Sequence, residues 1–151
     1  MFDIRFISRT PEPQEEGWDA LWGEIRLGDH LEGFRAPLDP WTAADYERHW
    51  REAAARLVGG QPAAFWTVPW QSWWVVWPEG GEAVVHEELL LADRIEAGGY
   101  TAEPPAGYAP YELIGPRESG SEEGESVSDW RVPLAAIRAW HAGLAPSSAH
   151  A

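Results

Sequence analysis

The segment QSWWVVWPEGGEAVVHEELLLA, residues 71–92, constrains the fold of this chain more than any other stretch. Three tryptophans and two valines stand together at residues 73–77, and a second apolar run follows a pair of glycines. Aromatic and β-branched residues favour strands, and a short glycine-containing connection between two such runs is typical of a β-hairpin. We therefore predict a hairpin that pairs Ser72–Trp77 with Ala83–Leu91.

The turn sets the register of this hairpin. A two-residue turn at Gly80 and Gly81 would place Glu79 opposite Glu82, and like charges that face each other destabilise a strand pair. The sequence therefore favours a four-residue loop, PEGG, at residues 78–81. This register pairs Trp77 with Glu82, Val75 with Val84 and Trp73 with His86, and it brings Trp74 to Val85.

Both faces of the predicted hairpin are apolar near its middle, as in a strand pair that is covered on two sides. Apolar residues make up 44% of the 151 residues, which is enough for the packed core of one domain. We expect a single domain over residues 1–143 and a disordered tail over residues 144–151.

Two helices are predicted. Thr42 can cap the first, since Asp45 follows it by three residues. The apolar positions behind this cap recur at helical spacing: Tyr46, Trp50, Ala53 and Leu57. The pattern predicts a long amphipathic helix at about 42–58 and, after Pro133, a short C-terminal helix at about 133–142.

Strands account for most of the rest. Alternation of apolar and polar residues at Phe2–Phe6, and again from Leu21 to Phe34 around a break at Gly28, has the period of half-buried strands. The predicted fold class is therefore α+β, with a mainly antiparallel β-sheet.

The net charge of the chain indicates which classes of partner it can bind. Twenty-five acidic residues oppose eleven basic ones, for a net charge of -14. Nucleic acid would be repelled and a basic protein attracted. The chain has no cysteine, which excludes disulfides and fits a cytoplasmic location, and no apolar run is long enough to predict membrane insertion.

The sequence offers residues for three kinds of small-molecule site. His30 with Glu32, and His86 beside Glu87, could suggest a metal site, but the spacing matches no ligand signature, so we expect neither metal nor cofactor. An alternative function is a small hydrolase that uses surface carboxylates, for which the best trio is Glu24, Asp29 and Glu32. Another is a carbohydrate-binding module built on exposed tryptophans, with Trp66, Trp70 and Trp73 as candidates.

The segment RESGSEEGESVSDW, residues 117–130, has the strongest charge bias, and it follows a Gly- and Pro-rich region. Such a segment is either a solvated loop or a surface that meets a basic protein cleft. The candidate partner-binding residues are its acidic side chains and one tryptophan: Glu118, Glu122, Glu123, Glu125, Asp129 and Trp130.

Five stretches in this order resemble one protein family: GEIRLGDHLEGF (23–34), a W-x4-Y-x3-W pattern (41–50), WPEGGEAVVHEELLL (77–91), PYELIGPRE (110–118) and SDWRVPLAAI (128–137). The chain resembles immunity proteins of bacterial contact-dependent growth inhibition systems. The resemblance implies a cytoplasmic, non-enzymatic inhibitor that binds the C-terminal domain of its cognate toxin, commonly a nuclease, and covers its active site. We expect the free protein to be a monomer.

Overall fold

The structure is a computed structural model of the chain. It describes residues 1–8, 10–13, 19–38, 41–68, 72–89, 111, 114 and 129–147. In this part of the chain, eight strands form two four-stranded antiparallel sheets, and two helices pack with them. The α+β fold class is confirmed. Neither helix combines the length and apolarity that a membrane span needs.

The first sheet is built around its longest strand. It contains β1 (Phe2–Phe6), β2 (Glu12–Pro13), β3 (Asp19–Leu27) and β4 (His30–Pro37). β3 pairs with β1 and β2 along one edge and with β4 along the other. Because side chains alternate along a strand, the inner face collects apolar residues such as Ile4 and Ile25, and the outer face is polar.

The second sheet contains the tryptophan hairpin. Its strands are β5 (Ala63–Val68), β6 (Ser72–Glu79), β7 (Glu82–Leu89) and β8 (Asp129–Pro133), in that order across the sheet. The pairing sets Phe65 beside Trp74 on one face and Trp66 beside Trp73 on the other. All four side chains are buried. The tryptophans of the hairpin are therefore core residues on both faces, as predicted.

The predicted register of the hairpin was wrong. The turn consists of Gly80 and Gly81 alone, and Glu79 does face Glu82. As a result, Trp77 pairs with Val84 rather than Glu82, Val75 with His86, Trp73 with Glu88 and Trp74 with Glu87. Both glycines have positive φ angles, 58° and 86°, which a two-residue hairpin turn of matching twist requires. The turn geometry thus outweighs the repulsion of two facing carboxylates, one of which, Glu82, lies 3.9 Å from Arg131.

The first helix begins and ends at the predicted signals. α1 spans Ala43–Val58, and the Thr42 hydroxyl accepts a hydrogen bond from the Asp45 amide (3.1 Å) while Asp45 accepts one from the Thr42 amide (2.9 Å). Trp41 packs on Tyr46 with ring centroids 5.0 Å apart. The apolar stripe that includes Trp50 is buried, so the predicted packing of this helix is confirmed.

α1 closes the open edge of the second sheet at β5. The Trp50 indole donates to the backbone carbonyl of Trp66 (2.9 Å), and the Trp66 amide donates to Nε2 of His49 (2.8 Å). Two helix side chains thus take the place of a neighbouring strand. Because buried backbone groups need partners, these two bonds fix where the helix sits on the sheet.

A second contact of His49 reaches a distant part of the sequence. Since Nε2 accepts a hydrogen bond, the neutral ring carries its proton on Nδ1, which donates to the Tyr111 hydroxyl (3.1 Å). The Arg56 guanidinium lies over the Tyr111 ring, 4.5 Å from its centroid. Tyr111 and Ile114 both pack on the core.

The C-terminal helix begins where predicted. α2 spans Leu134–Ser147, with Ile137 buried, and it continues past Gly143, where the sequence suggested an end. Trp140 donates a hydrogen bond to Asp3 of β1 (3.1 Å). Of the predicted disordered tail at 144–151, residues 144–147 continue α2, and residues 148–151 lie outside the described residues. The single-domain boundary at 143 stays a prediction.

Substitution of Trp50 tests this arrangement. Trp50→Ala should lower the free energy of unfolding by about 3 to 5 kcal/mol, because it leaves a cavity beside Phe6 and Phe34 and removes the donor to Trp66. Trp50→Phe keeps most of the packing and should recover more than half of the loss. Urea denaturation measures both. A Trp50→Ala variant within about 1 kcal/mol of the wild type would contradict the placement of α1.

The stability should also fall in mild acid because of His49. Burial lowers the pKa of His49 from its ordinary value of 6.5 to about 3. Between these values the unfolded chain binds a proton that the folded chain does not, so stability decreases as the pH falls, by at most about 1.4 kcal/mol per pH unit. We expect His49→Gln to weaken this dependence between pH 6.5 and 5, where most carboxylates remain ionised.

The control is His141→Gln, on the half-buried histidine of α2. It should retain the pH dependence of the wild type. If the stability of His49→Gln depends on pH in the same way as that of this control, the buried neutral histidine is not the cause of the loss of stability in mild acid.

Candidate functional site

A polar cluster lies where the turn between β3 and β4 meets β7 and β8. It consists of His30, Glu32, Glu87 and Trp130, and we call it the rim cluster. His30 and Glu32 alternate onto the inner face of β4, and Glu87 shares a face of β7 with Val85, the partner of Trp130. The rings of His30 and Trp130 stack with centroids 4.7 Å apart and planes inclined by 27°.

The rim cluster holds negative charge in a partly apolar setting. Nε2 of His30 lies 3.3 Å from the Glu32 carboxylate. Partial burial raises the pKa of Glu87 above its ordinary value, the Glu32 carboxylate raises it further, and His30 opposes the shift. The free protein therefore holds two carboxylates close together, and their repulsion costs free energy. A guanidinium or ammonium group from a partner would offset this repulsion.

Trp130 links the rim cluster to the acidic segment singled out in the sequence. Its ring is half-buried against Trp74, with centroids 5.4 Å apart, and against His30. Asp129 is the first residue of β8 and pairs with His86. The other four candidate residues lie outside the described residues: Glu118, Glu122, Glu123 and Glu125.

The competing acidic trio does not come together. Glu24 lies on the outer face of β3, 3.8 Å from Arg5, whereas Glu32 lies on the inner face of β4. Asp29 is exposed in the turn between these strands. A hydrolase needs carboxylates that converge on one substrate, and these three do not.

The structure also gives no support to the candidate sugar-binding tryptophans that it describes or to the candidate metal site. Trp66 and Trp73 are buried, which removes them as sugar-stacking platforms, and Trp70 lies outside the described residues. His86 packs against Trp77, with centroids 5.1 Å apart, rather than against Trp73 as predicted, because the register differs. Among the described residues, no group of three or more acidic, histidine or cysteine side chains could hold a metal ion.

Sequence reasoning missed Glu87 as part of the site. From the sequence, Glu87 was considered only beside His86, its neighbour, which alternates to the opposite face of β7. Its nearness to Glu32 depends on how the two sheets pack, and no pattern within either strand indicates that packing.

Comparison with known proteins gives one family. Residues 36–140 match the model of the CdiI N-terminal domain. Among solved structures, the chain is similar to one chain of a CdiA-CT/CdiI toxin and immunity complex from Enterobacter cloacae. The two share 21% identity and a TM-score of 0.78, over 95% of this chain and 98% of the other. At this identity the likeness establishes a shared fold. Comparison with curated proteins gave no match.

The raised pKa of Glu87 leads to a stability prediction. Because Glu87 is less easily ionised in the folded chain than in the unfolded one, its charge destabilises the fold at neutral pH. Glu87→Gln should therefore raise the melting temperature slightly at pH 7 and have no such effect at pH 4. Glu47→Gln, on the exposed side of α1, is the matched control and should leave the melting temperature nearly unchanged at both values. A lower melting temperature for Glu87→Gln at pH 7 would contradict the electrostatic reading of the rim cluster.

Proposed function

This chain belongs to the CdiI N-terminal domain family, and on that premise we propose that it is the immunity protein of a contact-dependent growth inhibition system. It neutralises its cognate toxin domain by stoichiometric binding and catalyses no reaction of its own. The family match over residues 36–140 is the observation that carries this proposal. The solved complex of similar fold, which pairs a CdiA-CT toxin with CdiI, supports it.

The charge of the chain supports a nuclease as the toxin. A nuclease presents positive charge where it holds phosphates, so an inhibitor with a net charge of -14 gains association rate and affinity from electrostatic attraction. We propose that the inhibitor covers the basic active-site cleft, where its carboxylates occupy the positions of substrate phosphates.

The toxin-binding surface combines the acidic segment with the rim cluster. Its proposed residues are Glu118, Glu122, Glu123, Glu125, Asp129 and Trp130, together with Glu32 and Glu87. The stack of Trp130 on His30 supports this grouping, because it ties the end of the acidic segment to the carboxylates of the rim cluster. Trp130 supplies apolar area between charged groups, an arrangement common at the centre of protein interfaces.

The same proposal places the protein in the cytoplasm as a monomer when free. A nuclease harms the cell where nucleic acid is, so its inhibitor must act there. The hydrolase and carbohydrate-binding alternatives lose support from the separation of Glu24 from Glu32 and from the burial of Trp66 and Trp73.

The direct test is co-expression with the cognate toxin domain. Cells that make the toxin alone should stop growing, and cells that also make this chain should grow. The purified proteins should form a complex of one copy each. Growth arrest that persists although the chain is present and folded would reject the proposal.

Charge reversal tests which surface binds. Replacing Glu122, Glu123 and Glu125 with Arg should slow association with the toxin several-fold and flatten its dependence on salt, because exposed charges act mainly on the encounter rate. Thermal stability should stay nearly the same. The measurement is association kinetics at two salt concentrations.

The comparison variant carries the reversals Glu24→Arg and Asp29→Arg, which lie outside the proposed surface. It should keep the kinetics of the wild type. A loss confined to this variant would move the interface to the outer face of the first sheet.

A further inference from the structure

The imidazole of His30 makes the contacts that a bound arginine side chain makes in proteins. It lies nearly flat on the Trp130 ring, with centroids 4.7 Å apart, and its Nε2 atom is 3.3 Å from the Glu32 carboxylate. A planar group that carries nitrogen, stacks on an aromatic face and meets a carboxylate describes a guanidinium equally well. His30 therefore occupies a position that suits an arginine.

An arginine already stacks in this way elsewhere in the chain. The Cζ atom of Arg35 lies 4.4 Å from the centroid of the Trp22 ring. This distance is close to the 4.7 Å between the rings of His30 and Trp130. A guanidinium would thus fit on the Trp130 ring in the place of the imidazole.

His30 is also the ring that can leave Trp130. Two rings of the described residues contact Trp130, and the other is that of Trp74, which is 1% exposed and belongs to the core. The His30 side chain is 34% exposed and follows the turn at Gly28 and Asp29, so it can rotate into solvent without opening the core. A ligand that needs an aromatic face of Trp130 therefore gains one by displacing His30.

The carboxylates of Glu32 and Glu87 lack an arginine. Asp45, on α1, accepts a hydrogen bond from Arg48 (2.7 Å), but neither glutamate pairs with a guanidinium among the described residues. The pKa of Glu87 is raised by partial burial and by Glu32, and only His30 opposes the shift. A guanidinium carries five N–H donors in a planar fork, so it can bond to two carboxylates at once. Exchange of the imidazole for a guanidinium therefore gains hydrogen bonds.

We infer that His30 is a placeholder in the free chain, and that an arginine of the cognate toxin displaces it from Trp130. The inference rests on the proposed function for the identity of the partner. The guanidinium stacks on the Trp130 ring and donates to Glu32 and Glu87, while the imidazole turns into solvent. Arginine suits this site and lysine does not, because only the planar fork can stack on the indole and bond to both carboxylates together.

Nuclear magnetic resonance tests the displacement in the wild-type chain. The ring protons of His30 lie against the indole of Trp130, whose ring current shifts their signals upfield. On saturation with the toxin domain this shift should disappear. The signals of His141, on α2, are the internal control and should stay in place. An upfield shift that persists in the complex overturns the inference, because His30 then still covers Trp130.

Removal of the placeholder should strengthen binding. His30→Ala leaves the Trp130 face open, so the toxin no longer has to displace a ring, and its affinity should rise about two- to tenfold. His141→Ala is the matched control and should bind like the wild type. An equal or lower affinity for His30→Ala overturns the inference, since a direct contact gives a loss instead of a gain.

Two substitutions of Trp130 test the stacking. Trp130→Leu keeps an apolar side chain without an aromatic face, and the affinity for the toxin domain should fall about tenfold or more. Trp130→Phe keeps a face and should bind more tightly than Trp130→Leu. Thermal melting shows whether both variants are folded. Equal affinities of the two folded variants would mean that the aromatic face is not used, which contradicts the inference.

Arginine-to-lysine changes in the toxin domain identify the ligand. One of them should lower the affinity for the wild-type chain about tenfold or more, because the fork and the stack are lost. The same change should have a much smaller effect on a chain that carries Glu32→Gln and Glu87→Gln, since these residues are its partners. If no arginine of the toxin is coupled to the two glutamates, the inference is wrong.

The outcomes separate this inference from the proposed function. If the wild type fails to bind the toxin domain, the proposed function fails. If it binds while His30 keeps its upfield shift in the complex, the inference is overturned and the proposed function stands.

Discussion

The position of α1 depends on two hydrogen bonds at one residue. Trp66 stands on the edge strand of the second sheet, where its N–H and C=O groups have no neighbouring strand, and His49 and Trp50 satisfy them from consecutive positions of the helix. Since a helix in this place buries both groups away from water, either bond alone would leave a costly unpaired atom. The same histidine also bonds to Tyr111, so the edge of β5, the helix α1 and a distant part of the sequence belong to one hydrogen-bond network.

The sequence predicted most of what depends on local patterns. The capping box of Thr42 and Asp45, the buried stripe of α1 and the strands β1 and β6 follow from periodicity and from side chains that bond to nearby backbone. The predicted register of the hairpin was wrong because the prediction overestimated the free-energy cost of placing Glu79 opposite Glu82. Two glycines with positive φ angles favour the two-residue turn more strongly than the facing carboxylates of Glu79 and Glu82 disfavour it.

The candidate site was less accessible from sequence. Trp130 was identified beside the acidic segment, but its contact with His30 joins residues one hundred positions apart and depends on how the two sheets pack. Glu24 and Glu32 were grouped as neighbours, yet the hairpin of β3 and β4 places them on opposite faces. The sequence shows which residues of one strand share a face. Which residues of two paired strands share a face depends on the register, and the turn that joins the strands sets that register.

The rim cluster holds groups that the free chain leaves poorly satisfied. Partial burial raises the pKa of Glu87, and the nearby carboxylate of Glu32 raises it further. A partner that places a cation beside these two carboxylates would gain binding free energy, because the cost of holding them together is already borne by the free protein. Charge attraction would also act over a distance and speed the encounter, whereas the apolar contact that Trp130 offers acts only once the two surfaces meet. A toxin inhibitor needs both effects, since it must bind before damage occurs and remain bound afterwards.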